Sequence, residues 1–111
     1  MRRLFLALSL LLPVTMLISS ASMAETKLDA SILSYDGKDF VRTDTTLMKE
    51  DGQSAVGTKL DHDSPAYKAL VEKHSYIGPA TVFGHSYQAD YAPLIGPDGK
   101  LTGALFVGVP K

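Results

Sequence analysis

Residues 96–109 read GPDGKLTGALFVGV, which joins the strongest turn signal in the chain to a long strand-forming run. Proline and glycine within Gly96–Gly99 favour a tight turn, because they readily adopt the backbone angles that such turns need. Residues Lys100 to Val109 then predict a β-strand. Side chains at alternate positions of this strand are expected to share one face of a sheet, and they are Leu101, Gly103, Leu105, Val107 and Val109.

Four further strands are predicted upstream of this one. They cover Leu28 to Tyr35, Lys38 to Leu47, Ala80 to Gln88, and Asp90 to Ile95. The pair Asp36-Gly37 tolerates positive φ and predicts a two-residue hairpin between the first two strands. Residues 48–59 read as a loop with a second Asp-Gly turn inside it. Pro93 cannot donate a hydrogen bond to a neighbouring strand, so its own strand is expected to lie at an edge or to be bulged.

One helix is clearly signalled between these strands. Ser64 is a suitable N-cap, Pro65 suits the first helical position, and apolar side chains recur at helical spacing up to Val71. The helix is expected to end near Lys73 or His74. Because no helix separates most of the strands, a doubly wound parallel sheet is excluded. The pattern predicts an α+β domain with an antiparallel sheet of about five strands and one main helix on one face.

The N-terminal residues have the pattern of a signal peptide. Two arginines follow the first methionine, an apolar run extends over Leu4–Ile18, and small residues occupy Ser22 and Ala24. This pattern predicts cleavage between Ala24 and Glu25, with a signal peptide over residues 1–24 and one domain over residues 25–111. The alternative is an uncleaved membrane anchor, but the run is interrupted by a proline and is shorter than the ~20 apolar residues of a spanning helix.

Composition narrows the possible functions of the exported domain. The chain has no cysteine, so its stability cannot depend on disulfides and it lacks the cysteine of a lipoprotein anchor. It carries 12 acidic against 11 basic residues, two of which are Arg2 and Arg3. A nucleic-acid-binding protein needs a basic face, which this balance does not predict.

Arg42 is the one arginine beyond the N-terminal region, and it falls on the second predicted strand. Its guanidinium group can hold a carboxylate through two parallel hydrogen bonds, with nearby threonines such as Thr45 as further donors. The alternative is a solvent-exposed ion pair with Asp44. Strand alternation also places Arg42 on the face opposite Thr43 and Thr45, unless the strand is bulged or twisted.

A second cluster of candidate ligand contacts follows the helix. On the predicted strand Ala80 to Gln88, the side chains of Thr81, Phe83, His85 and Tyr87 alternate onto one face, which is a plausible wall for a small polar ligand. Tyr76 and Tyr91 flank this strand. The alternative is that Phe83 belongs to the core and that the tyrosines cover the sheet with their hydroxyl groups in water.

No pattern in the sequence indicates catalysis or metal binding. Residues Asp61-His62-Asp63 match no standard ligand spacing, and neighbouring residues rarely converge on one ion, so a solvated loop before the helix cap is favoured. The chain has no Gly-x-Ser-x-Gly motif and no glycine-rich phosphate loop. We expect neither an enzyme nor a bound cofactor or metal.

Taken in order, several segments resemble the extracytoplasmic Cache domains of bacterial chemotaxis receptors and sensor kinases, and most closely the single Cache type described as a Cache 3/Cache 2 fusion. These segments are Asp39 to Arg42, Asp51 to Thr58, Ser64 to Tyr67, Tyr76 to Gly84, Tyr91 to Leu94, and Asp98 to Val109. No single segment is diagnostic; the resemblance rests on their order and spacing.

The resemblance implies a PAS-like fold whose concave sheet face binds a small molecule beneath a helix and a loop. Members of the family typically sense small metabolites such as carboxylates or amino acids. By this analogy the expected ligand contacts are Arg42, Thr45, Tyr76, Phe83, His85, Tyr87 and Tyr91. The chain departs from typical family receptors in lacking a long helix before the first strand, and in ending without a transmembrane helix or signalling module.

These observations lead to three hypotheses about function. The first is an exported, free-standing domain that binds a small anionic metabolite and presents it to a partner. The second is an interaction protein with a vestigial pocket that regulates a membrane sensor by docking on it. The third is a receptor sensor domain tethered by an uncleaved N-terminal anchor.

Overall fold

A computed structural model describes residues 27–111, which form one five-stranded antiparallel sheet and one short helix. The elements are β1 (Asp29–Tyr35), β2 (Phe40–Thr45), α1 (Pro65–Val71), β3 (Tyr76–Val82), β4 (His85–Ile95) and β5 (Leu101–Pro110). The order of the strands in the sheet is β2-β1-β5-β4-β3. The predicted α+β class and strand count are thus confirmed. The predicted signal peptide and its cleavage site between Ala24 and Glu25 lie outside the described residues.

The core lies on one side of the sheet, here called the inner face. Its buried strand residues are Leu33, Phe40, Val82, Tyr87, Ala89, Tyr91, Ala104 and Phe106. Ala66 and Leu70 of α1 cover this face, together with Leu47, Ala55 and Leu60 from the long loop between β2 and α1. As predicted, Ser64 caps the helix, since its Oγ accepts the N–H of Tyr67 at 3.1 Å.

The opposite side, here called the outer face, carries Ala30, Ile32, Leu105, Val107 and Val109. The predicted alternation of β5 is therefore correct for its last three apolar positions, but these side chains are exposed rather than in the core. Leu101 is an exception, because a register shift near Ile95 lets it pack against the core instead.

The prediction of a strand from Ala80 to Gln88 is wrong, because the chain reverses within it. Val82 pairs with His85, and the two residues between them, Phe83 and Gly84, both have positive φ (49° and 80°). Such a pair matches the tight turns that suit twisted hairpins. Phenylalanine rarely adopts positive φ, so a phenylalanine at position 83 does not predict a turn.

Two other local features differ from the simple alternation expected of the first hairpin. Tyr35 pairs with Phe40, so the connecting loop has four residues rather than two. The Asp36 carboxylate accepts two backbone N–H groups of this loop, and these bonds lower its pKa. In β2, Thr43 has no partner in β1, which makes it the extra residue of a β-bulge. The bulge brings Arg42 and Thr45 onto the same face.

The edges of the sheet also agree with the sequence. β4 pairs with β3 only as far as Tyr91, so Pro93 lies where β4 has a free edge, as its missing N–H requires.

The helix ends at Val71, two residues earlier than predicted, and Lys73 beyond it has a φ of 65° that stops the helical path.

A substitution at Gly103 would test how closely β5 packs against β1. A Cβ atom at this position would overlap the carbonyl oxygen of Leu33, which is backbone and cannot move aside. We expect Gly103→Ala to lower the free energy of unfolding by about 1–3 kcal/mol, measured by urea denaturation. Ser34→Ala, at the paired position on β1, is the matched control and should change stability little. Equal stability of Gly103→Ala and the parent chain would contradict this packing.

Candidate functional site

A cavity of about 330 Å³ lies on the inner face, beneath the start of α1 and the loop that precedes it. Four of the predicted contact residues line it, namely Arg42, Tyr76, Phe83 and Tyr91. The rest of the wall is formed by Lys59, Leu60, Asp61, Ser64, Pro65, Ala66, Pro79, Ala80, Thr81 and Val82. The lining is mainly apolar with a few polar groups, as is typical of small-molecule sites.

Arg42 is the most unusual residue of this cavity, because its side chain is charged and only 4% exposed. Its Nη1 donates to Thr58 Oγ1 at 3.0 Å and to the carbonyl of Lys59 at 3.3 Å. Its guanidinium carbon lies 5.2 Å from the ring centre of Phe83. Among the described residues, no carboxylate lies within 4.0 Å of it.

The alternative prediction, an exposed ion pair between Arg42 and Asp44, is therefore wrong. Asp44 pairs with Ile32 on the outer face, whereas Arg42 pairs with Leu33 on the inner face. The bulge at Thr43 separates the two side chains.

Burial lowers the pKa of Arg42, because the charged guanidinium loses contact with water. The nearby Tyr91 hydroxyl acts in the opposite direction. Burial also raises the pKa of Tyr91, and the positive charge of Arg42 partly offsets that rise. The site is thus a polar pair in an apolar wall, carrying a positive charge that an incoming anion would neutralise.

The loop between residues 55 and 60 holds Arg42 in place. The backbone of this loop runs along β2. The backbone N–H of Arg42 donates to the carbonyl of Thr58, and the backbone carbonyl of Arg42 accepts the N–H of Gly57. Leu60 donates to the carbonyl of Phe40 in the same way. The sequence did not identify Thr58 as a site residue. The one feature that could have pointed to Thr58 is that it ends the Asp51–Thr58 segment, which resembles the Cache family.

The aromatic part of the wall comes from three different elements. Tyr76 and Tyr91 are paired across β3 and β4, and Phe83 reaches the cavity from the turn between these strands. The hydroxyl of Tyr76 donates to the carbonyl of Pro79 at 2.7 Å, which fixes the ring at the edge of the site.

The other three predicted contacts, Thr45, His85 and Tyr87, do not line this cavity. Thr45 Oγ1 bonds to the hydroxyl of Ser31 at 2.6 Å and accepts the N–H of Leu47 at 3.0 Å, which is a structural role.

His85 and Tyr87 line a separate depression near the C-terminus of β5. There the Tyr87 hydroxyl donates to Asp29 at 2.8 Å, and burial together with this carboxylate raises the pKa of Tyr87 to about 12. The expectation that Phe83, His85 and Tyr87 share one face is wrong, because the turn at Gly84 separates Phe83 from the other two.

The sheet order, the helix and loop over one face, and the cavity beneath them match the PAS-like arrangement that the resemblance implied. The family described as the Cache 3/Cache 2 fusion domain matches residues 23–111, which is most of the chain. The chain belongs to this Cache family. Cache domains are typically extracytoplasmic sensor and ligand-binding domains rather than catalytic ones. No curated protein and no solved structure matches the chain.

Within residues 27–111 of this Cache domain, no helix is long and apolar enough to cross a membrane. The same residues contain no group of three or more metal-ligating side chains.

The burial of Arg42 leads to a stability prediction. Arg42→Met keeps the volume of the side chain but removes a charge that has no described counter-ion. The Thr58 hydroxyl keeps a partner in the variant, because it also donates to the carbonyl of Ala55. Without ligand, we expect the free energy of unfolding to stay unchanged or to rise by about 1–2 kcal/mol in thermal and urea unfolding.

Thr45→Val is the contrasting variant, because it removes a hydroxyl with two structural partners and should cost about 1–2 kcal/mol. A loss of stability in Arg42→Met as large as that in Thr45→Val would show that the guanidinium serves the fold rather than a ligand.

Proposed function

We propose that this chain is an exported Cache domain that binds a small carboxylate in the inner-face cavity. The observation that carries the proposal is Arg42, a buried cation with no described counter-ion that faces an open cavity. Burying a charge without a partner is costly, and a bound carboxylate would offset that cost. A vestigial pocket would have no reason to keep the charge.

The hydrogen bonds of Arg42 support two-point binding of a carboxylate. Nη1 is engaged by Thr58 and Lys59, which holds the plane of the guanidinium group. Nη1 forms the side-chain hydrogen bonds with printed distances, and the Tyr91 hydroxyl lies close to the group; we propose that Nε and Nη2 donate to the two oxygens of one carboxylate. The guanidinium carbon lies over the ring of Phe83, which forms one wall of the proposed binding position.

The charges around the cavity favour a ligand with one carboxylate. Lys59 also lines the cavity, but its ammonium group lies 3.4 Å from the carboxylate of Asp39, which compensates its charge. Asp61 is a further lining residue and would repel a second carboxylate. Leu60, Pro65 and other apolar residues form the remaining wall, which suits a short hydrocarbon or aromatic group.

Export follows from the N-terminal pattern rather than from the described residues. We propose cleavage between Ala24 and Glu25, in keeping with the extracytoplasmic location typical of Cache domains. Mass spectrometry of the intact exported protein should give the mass of a chain that begins at Glu25. A mass that includes residues 1–24 would favour the tethered alternative.

A thermal-shift screen tests the proposed ligand class. The compounds are acetate, propionate, butyrate and benzoate, with their primary amides and with succinate for comparison. We expect one or more monocarboxylates to raise the melting temperature, while the amides have no effect. A ligand at a hundred times its Kd adds about 2.7 kcal/mol of stability. For a domain of this size, that is a rise on the order of 10 °C.

Two variants test whether the carboxylate-induced rise in melting temperature depends on the inner-face cavity. Arg42→Met should abolish the shift, because it removes both hydrogen-bond donors to the carboxylate. His85→Ala lies in the separate depression and should respond like the parent chain. An identical carboxylate response in Arg42→Met, or amides that stabilise as well as acids, would refute the proposal.

A further inference from the structure

The outer face of the sheet has no covering layer among the described residues. Ile32, Leu105, Val107 and Val109 on this face are between 41% and 47% exposed, and Ile77 on β3 is 70% exposed. A sheet in a small domain normally buries its apolar face against a second layer. In this fold the helix and the loop both lie on the inner face.

Cross-strand pairing shows that the exposed aliphatic side chains are neighbours. Ile32 pairs with Leu105, which in turn pairs with Ala92 of β4. The next row joins Ala30, Val107 and Asp90. A shallow groove of about 270 Å³ runs between β1 and β5 along these rows. A contiguous apolar surface of this kind marks an interaction site rather than scattered exposure.

The charged residues that the named strands place on the outer face are both negative, and Lys59, which bridges to Val41 beyond the β2 edge, is paired with Asp39. Asp44 pairs with Ile32 at the β2 side, and Asp90 pairs with Ile77 at the β3 side. Neither aspartate forms an ion pair with another described residue. Of the strand residues that pairing places on this face, none is lysine, arginine or histidine. The face is thus an apolar surface with a carboxylate on each side.

We propose that the outer face binds an amphipathic helix of another protein, with an apolar stripe that covers Ile32, Leu105 and Val107 and with basic residues that reach Asp44 and Asp90. The inference rests on the proposed export in one respect, since the proposed cleavage removes residues 1–24 as a possible occupant of the face. A second copy of the chain is a poor occupant, because Asp44 and Asp90 of one face would oppose the same aspartates of the other.

The dimensions of the face suit one helix. Its five strands from β2 to β3 lie about 4.8 Å apart, so the face is about 19 Å wide. A helix of four turns is about 21 Å long and would span it. The groove between Ala30 and Val107 is mainly apolar, includes Asp44 in its lining, and has room for an aliphatic side chain of the helix. Strand addition at β2 is blocked, because residues 58–60 already pair with that edge.

Charge reversal provides the test. Two labelled synthetic helices share one leucine stripe, and one carries lysines beside the stripe while the other carries glutamates. With the exported protein, fluorescence anisotropy is expected to show the lysine helix binding about tenfold more tightly or better. The double variant Asp44→Lys with Asp90→Lys should reverse this preference. Val107→Lys should abolish binding of both helices.

Control variants separate this proposal from the ligand site. Arg42→Met should bind the lysine helix normally, because the cavity lies on the other face, and Val107→Lys should keep the carboxylate response of the parent chain. That response also reports that Val107→Lys is folded.

Three results would overturn the inference. Binding of both helices with equal affinity would indicate non-specific apolar contact. Failure of the lysine helix to bind would exclude the proposed partner chemistry. A dimer of the exported protein in light scattering that Val107→Lys dissociates would identify a second copy as the occupant.

Discussion

A buried guanidinium group needs hydrogen-bond partners, and the loop between β2 and α1 supplies them to Arg42. The loop between β2 and α1 runs along β2 so that Thr58 and the carbonyl of Lys59 meet Nη1. The same path covers the edge of β2 and places the loop over the inner face. The cavity is the space that remains between this loop, the helix and the aromatic side chains. The partners of Arg42 and the shape of the cavity therefore come from the same loop.

Alternation along the strands gives the two faces of the sheet different surfaces. In β4, Tyr91 lies in the wall of the cavity, whereas Asp90 beside it lies on the outer face. In β5, Phe106 belongs to the core, whereas its neighbours Leu105 and Val107 are exposed. A thin sheet covered on one side can thus hold a small molecule and still present an apolar surface to a partner.

Much of the fold was predictable because its signals are local. The Ser64 cap, the turn before β5 and the strand alternation each depend on a few adjacent residues. The β-bulge at Thr43 was not predictable because it depends on the register with β1, and the turn at Phe83 was not predictable because phenylalanine rarely adopts positive φ. Those two features decide which predicted site residues meet. The turn brings Phe83 to the cavity of Arg42 and leaves His85 and Tyr87 at the separate depression. The bulge puts Thr45 on the same face as Arg42, but Thr45 bonds to Ser31 outside the cavity.

Side-chain NMR of Arg42 most directly tests the claim that its guanidinium group binds a carboxylate. Arg42 is the one arginine in residues 25–111, so its guanidinium signals need no further assignment. Without ligand, the bonds from Nη1 should give restricted rotation and separate Nη signals. A monocarboxylate that stabilises the domain should shift the Nε and Nη2 signals in a saturable way. Averaged, rapidly exchanging signals that such a carboxylate leaves unchanged would contradict the account.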